Sequence, residues 1–188
     1  MKNSTKNMVG MGLFTAIVVV LQLLGGGIRF GIFSISLVLV PIVVGAAVYG
    51  WKTGAWLGFA FGAAVLISGD AAAFLAIDPL GTVLVVLVKG IACGLFAGLT
   101  YKLLHRLNKV VAVFAAAVVA PVANTGIFLI GCRIFFWETI AAWGVAMGFA
   151  NAAEYAILGL CGINFLIEVA VNLILAPMIV RLIRIGNK

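Results

Sequence analysis

Three polar side chains recur along one face of the last apolar stretch, where Asn164, Glu168 and Asn172 stand at i, i+4 and i+8. A carboxylate and two amides in otherwise apolar sequence are groups that lipid cannot satisfy, and they mark a site, a pathway or a mutual pairing. Lys89 brings the opposite charge from another apolar stretch, ten residues after Pro79, and Asn124 follows Pro121, whose ring frees the carbonyl of Ala117. At 1.5 Å per residue, Asn124, Glu168 and Asn172 lie roughly 8 to 14 Å from the outer helix ends and Lys89 about 15 Å, so one outward-opening cavity can contain all four. Three readings are open. Lys89 and Glu168 neutralise each other while the asparagines tie helices together. Alternatively, the group binds a small polar ligand, with Lys89 on a ligand carboxylate or carbonyl, Glu168 on a donor or cation, and Asn124, Asn164 and Asn172 giving amide hydrogen bonds. A proton or ion relay is the third, although relays generally use more than one intramembrane acid or a His.

Other chemistry finds no support. Gly45 to Thr53 reads G-A-A-V-Y-G-W-K-T, but Trp51 interrupts the Gly-Lys step of a phosphate loop and the segment joins two apolar helices. His105 sits in the short turn Leu104 to Asn108 with no acidic or hydroxyl partner nearby in sequence. No nucleophile, base and orienting group assemble, and no metal-ligand cluster, so neither enzyme activity nor a cofactor is expected. Cys93, Cys132 and Cys161 are odd in number and lack C-x-x-C spacing, which suits small apolar fillers.

The elements that position these residues follow from composition. The 188 residues are 65% hydrophobic and only 9% charged, with a mean hydropathy of +1.32, too little polar surface to coat a soluble globule. An integral membrane protein is expected, all-α, a single domain over residues 1–188. Its six transmembrane helices fall near 8–25, 33–50, 53–69, 79–103, 109–131 and 163–185. The fourth has the clearest start, with Asp78 as N-cap and Pro79 at the first helical position. The first, after Lys2 and Lys6, runs without a cleavage signal to Gly25-Gly26-Gly27 and is kept as a membrane helix. Segment 132–162 contains Trp137, Glu138, Trp143, Asn151, Glu154 and Tyr155, and is expected as a partly helical external lid packed back on the bundle. Asn151, Glu154 and Tyr155 are its candidate ligand contacts.

Charge sets the orientation. Six crossings put Lys2, Lys6, Lys52, Lys102, Arg106, Lys109, Arg181, Arg184 and Lys188 on one side, and Arg29 and Arg133 with Asp70, Asp78, Glu138 and Glu154 on the other. Both termini are therefore expected in the cytoplasm. The net charge of +7 is explained by this topology and by contact with anionic lipid, without nucleic acid. Gly54, Gly58 and Gly62, and Gly90, Gly94 and Gly98, line single helix faces and predict close packing inside the bundle, with a partner protein as the alternative.

Nearly the whole chain resembles the substrate-binding S component of an energy-coupling factor (ECF) transporter. The resemblance rests on the basic start, F-S-I-S-L-V-L-V-P-I-V-V-G-A-A-V-Y-G-W-K-T-G-A-W-L-G-F-A-F-G at Phe33 to Gly62, P-V-A-N-T-G-I-F-L-I-G-C at Pro121 to Cys132, and I-N-F-L-I-E-V-A-V-N-L-I-L-A-P at Ile163 to Pro177. It implies a six-helix bundle in a bacterial cell membrane that captures a water-soluble vitamin or related micronutrient on the outside. Delivery would use a transmembrane coupling subunit and two cytoplasmic ATPases. The family often docks through A-x-x-x-A on the first helix, and this chain has Gly12-x-x-x-Ala16 instead. The rival reading from another class is a small oligomeric channel or ion-coupled carrier that works without an ATPase.

Overall fold

The computed structural model describes residues 2–25, 29–30, 33–34 and 37–186. Its helices are α1 (Lys2–Gly25), α2 (Leu39–Tyr49), α3 (Trp51–Ser68), the single turn α4 (Ala72–Leu75), α5 (Pro79–Leu104), α6 (Lys109–Phe135), α7 (Trp137–Ala146), α8 (Ala152–Glu154) and α9 (Ile163–Gly186). A π-helical stretch, Tyr155–Gly162, joins α8 to α9. Between α1 and α2, β1 (Arg29–Phe30) and β2 (Phe33–Ser34) pair antiparallel, Arg29 opposite Ser34 and Phe30 opposite Phe33. Gly26 and Gly27 of the expected break, and Lys188 of the basic set, lie outside the described residues.

Among the described residues, Asn7–Gly25, Pro79–Leu104, Lys109–Phe135 and Ala152–Arg181 are long and apolar enough to cross a membrane. The second expected helix, 33–50, needs correction: its first part holds β2, and α2 starts only at Leu39. The 11 residues of α2 rise about 16 Å, little more than half of a ~30 Å hydrocarbon core. A helix that short is satisfactory because protein surrounds it. Pro41 to Ala46 are buried without a break, and α2 packs against α1, α3, α5, α6 and α9. It is the axis of the larger core cluster, around Leu39, Ile42, Leu57, Ala116 and Ile179.

The expected start of α5 is present. Asp78 Oδ1 accepts from Gly81 N at 3.0 Å, and Pro79 has no N–H to lose. Asn108 caps α6 in the same way, accepting from Val110 N at 2.8 Å and Val111 N at 3.2 Å. The glycine rows meet each other inside the bundle. Gly54 faces Gly94, Gly58 faces Gly90 and Gly62 faces Val86, an antiparallel register in which backbone touches backbone. This contact makes α3 and α5 a close pair and fixes Phe61 and Lys89 relative to each other.

Segment 132–162 is shorter as a separate element than expected. Its first residues continue α6 to Phe135, and everything from Ala152 onward belongs to the helical run ending in α9. What remains between the long helices is α7 and the turn through Asn151, over a second core cluster formed by Val85, Cys132, Phe136, Ile140, Tyr155 and Leu160. The run resumes at 152 because Asn151 Oδ1 accepts from Glu154 N at 2.8 Å while Glu154 Oε2 accepts from Ala150 N at 3.0 Å, close to a capping box.

Candidate functional site

A cavity of about 400 Å³ lies between the two core clusters. Its wall takes Gln22 from the last turn of α1, Phe61 and Val65 from α3, Phe74 from α4, and Thr82 and Lys89 from the first half of α5. Asn124 and Phe128 of α6, Trp143 of α7, Tyr155 and Leu160 of the π-helical stretch, and Asn164 and Glu168 of α9 complete it. These positions share one end of the bundle, the end carrying α4 and α7.

Helix geometry converges the charged groups. Asn164 and Glu168, one turn apart, point the same way, and Asn164 Nδ2 donates to Glu168 Oε1 at 3.3 Å. The Asn124 amide also neighbours the Glu168 carboxylate. Glu168 is only 2% exposed, yet its Oε2 has no hydrogen-bond partner, and neither does Asn124 Oδ1. Lys89 Nζ lies 5.1 Å from the Phe128 ring centroid and 5.9 Å from that of Phe61, within cation–π range. Among the described residues Lys89 and Glu168 share the cavity without a direct ion pair.

Asn172 departs from its expected place. It is fully buried, donates from Nδ2 to the Glu168 carbonyl oxygen at 2.8 Å, and is not part of the cavity wall. The stripe therefore divides by depth, its outer two members at the cavity and its inner one on the helix backbone. Asn151 and Glu154 also stand outside the wall, occupied in capping, whereas Tyr155 is in it and buried. Asn124 lies deeper than expected because α6 runs on to Phe135, eleven residues away or roughly 16 Å. Cys132 and Cys161 are free and buried, as small apolar fillers should be. His105 ends α5, with Nδ1 2.8 Å from the Lys102 carbonyl oxygen and its ring stacked on Tyr101 at 5.6 Å.

Sequence reasoning missed two parts of the wall. Gln22 donates to Asp70 Oδ2 at 2.6 Å, and Ser68 Oγ donates to the same oxygen at 3.1 Å. The signal for Gln22 was available, a polar residue inside an apolar helix like Asn124. The aromatic wall gave none. Phe74 meets Phe128, Phe136 and Trp143 edge to face, with centroids 5.6, 5.0 and 5.6 Å away, and only the fold brings these rings together.

Fold and cavity together define a class: a multi-pass membrane protein whose helices enclose an amphiphilic cavity at one end of the bundle. Over residues 6–180 the chain matches the family described as ECF transporter, substrate-specific component, and it belongs to that family. Members are the substrate-binding subunits of transporters rather than enzymes, and work with a coupling subunit and ATPases. Comparison with curated proteins and with solved structures gave no match.

Proposed function

We propose that this chain captures a water-soluble vitamin or related micronutrient from the outer side of a bacterial cell membrane and passes it inward through a separate coupling subunit driven by two cytoplasmic ATPases. One observation carries the reading: a cavity of about 400 Å³ holds a lysine with no ion-paired carboxylate among the described residues and two buried acceptor oxygens with no donor. Leaving such groups unmatched costs roughly 1–3 kcal/mol each, more when charged, and a bound solute offsets that cost. Lys89 takes a carboxylate or carbonyl of the solute, Glu168 and Asn124 take its donors, Asn164 orients Glu168, and Tyr155 closes the wall. Asn172 acts from behind by fixing the α9 backbone at Glu168.

The proposed topology has six crossings, with α2 and α3 joining the four long spans. Both termini are then cytoplasmic, as are the basic turns at Lys52 and at Arg106 and Lys109, where anionic lipid meets them. The cavity end with α7 faces outward, and α7 acts as its lid, with Trp143 and Met147 over the solute. For the coupling subunit, α1 offers Gly12 and Ala16 on an exposed face, and a Cβ at Gly12 would meet nothing within 4 Å. Met8, Leu13 and Val20 flank them, 65%, 60% and 52% exposed.

Mass spectrometry of small molecules retained through purification, followed by uptake into vesicles with and without the coupling module and ATP, tests the whole reading. A retained solute whose uptake needs ATP supports it. Robust gradient-driven flux through this protein alone would overturn it in favour of a channel or ion-coupled carrier.

A further inference from the structure

The wall of the cavity has a polarity pattern that narrows what can bind. On one side stand two acceptors, Glu168 Oε2 and Asn124 Oδ1, both closed off from bulk solvent and both without a protein donor. An ionised carboxylate can only accept, and the amide neighbouring Glu168 leaves its own oxygen over. Both residues line the cavity, where a donor on a bound molecule would match them. On the other side Lys89 has three donors and no acceptor of its own, and its Nζ stands over the rings of Phe61 and Phe128. What it lacks is an acceptor.

The rest of the wall is built from rings. Phe74 meets Phe128 and Trp143 edge to face at 88° and 70°, and all three residues line the cavity, so ring faces and edges border it. A planar ligand uses such faces by offset stacking or edge contact without freezing rotors, whereas a flexible chain of equal area loses conformational entropy on binding. A volume of about 400 Å³ falls within the range of small-molecule sites, toward its lower end.

We propose that the solute is a planar heteroaromatic ring whose N–H donor edge meets Glu168 and Asn124, whose carboxylate or carbonyl meets Lys89, and whose body lies among Phe74, Phe128 and Trp143. This assignment of ligand class rests on the capture reading above. It distinguishes the ligand from an aliphatic zwitterion, which would satisfy both charges and leave the aromatic wall unused. It also distinguishes it from a simple aromatic acid, which would satisfy Lys89 and leave both acceptors unmatched.

Three probes separate these classes by calorimetric titration of the full chain, purified in detergent and freed of retained solute. A carboxypterin has ring, donor edge and acid; naphthoate has ring and acid; aminocaproate has both charges and no ring. The carboxypterin should bind at least roughly tenfold more tightly than either of the others, since each lacks one matched set of contacts. Glu168→Gln should reduce the preference for the carboxypterin over naphthoate by roughly ten- to a hundredfold, because the donor edge loses its charged acceptor. Lys89→Met should weaken any of the three that binds, since each carries a carboxylate. Equal binding of naphthoate overturns the donor edge, tightest binding of aminocaproate overturns the ring, and binding of none of the three overturns the class. The wild-type series decides these outcomes even where a variant fails to fold. Capture itself fails on a different result, flux through this protein without the ATPases, so the two readings can fall separately.

Discussion

Placing a methyl group between α3 and α5 should damage the protein more than its size suggests, and Gly58→Ala is the sharpest instance. A Cβ at Gly58 would run into the carbonyl oxygen of Gly90, stand 2.7 Å from its carbonyl carbon and 3.1 Å from Ile91 Cα. All three obstacles are backbone, so no side-chain rotation relieves them. Carbon atoms at ease sit about 3.5–4.0 Å apart, so the helices must separate by roughly 1 Å at this point. Overpacking of this kind costs typically 1–3 kcal/mol, opposed by the 0.5–1 kcal/mol that alanine gains over glycine in a helix, leaving a net destabilisation of up to about 2.5 kcal/mol. Gly12→Ala is the control, because nothing lies within 4 Å of its added methyl and only the favourable helix term remains. Thermal unfolding of both variants in one detergent, followed by size exclusion and circular dichroism, gives the comparison. Gly58→Ala combined with Gly90→Ala should cost less than the two singles added, since both push the same pair of backbones apart. Equal melting of the Gly58 and Gly12 variants would refute the packing argument. The cavity should register the same change, because Gly58 lies one turn from Phe61 and Gly90 adjoins Lys89.

Lys89→Met and Glu168→Gln should each weaken ligand binding by roughly ten- to more than a hundredfold, and the double variant should not recover; recovery would mean that the two charges only neutralise each other. Gly12→Leu with Ala16→Leu should abolish ATP-dependent uptake while leaving binding intact, and equal loss of both would place that face inside the bundle. A cysteine at Glu138, at the exposed start of α7, should react with an impermeant reagent added to intact cells, and protection there would refute the outward placement of the lid. Removing the α5 cap by Asp78→Ala should lower stability by about 1 kcal/mol, measured as a shift in thermal unfolding.

What the sequence made legible was whatever depends on local rules. Asp78-Pro79 announced a helix start through a side-chain acceptor and a missing N–H, and both are in place. Glycines every fourth residue announced a close approach, and the rows of α3 and α5 meet each other. Other local signals carry a structural task beside the one their polarity suggests. Asn151 and Glu154 have the spacing of a capping box, which ends the lid and starts the long helix, yet their polarity suggested ligand contacts. The start of α2 was harder, because the apolar stretch from Phe33 suits strand and helix alike, and only pairing with β1 sets Phe33 and Ser34 apart from the helix that begins at Leu39. The aromatic wall was illegible for a deeper reason. Phe61, Phe74, Phe128 and Trp143 come from four elements, and their meeting is a property of the bundle rather than of any stretch of chain.

The polar stripe of α9 joins these two kinds of information. Its i, i+4, i+8 spacing guarantees one face, and a face is all that spacing can guarantee. Depth then divides the work. Asn164 and Glu168 line the cavity together with side chains of α4, α7 and the π-helical stretch. Asn172 lies one turn further along α9, fully buried, and its amide donates to the carbonyl of Glu168. That bond spans four residues of the same helix and adds a second donor to a carbonyl in the α9 ladder. It ties the Asn172 side chain to the stretch of α9 backbone that carries Glu168. Glu168 thus has Oε1 held by Asn164 and Oε2 without a hydrogen-bond partner, and in the proposed capture reading that second oxygen takes a donor of the solute.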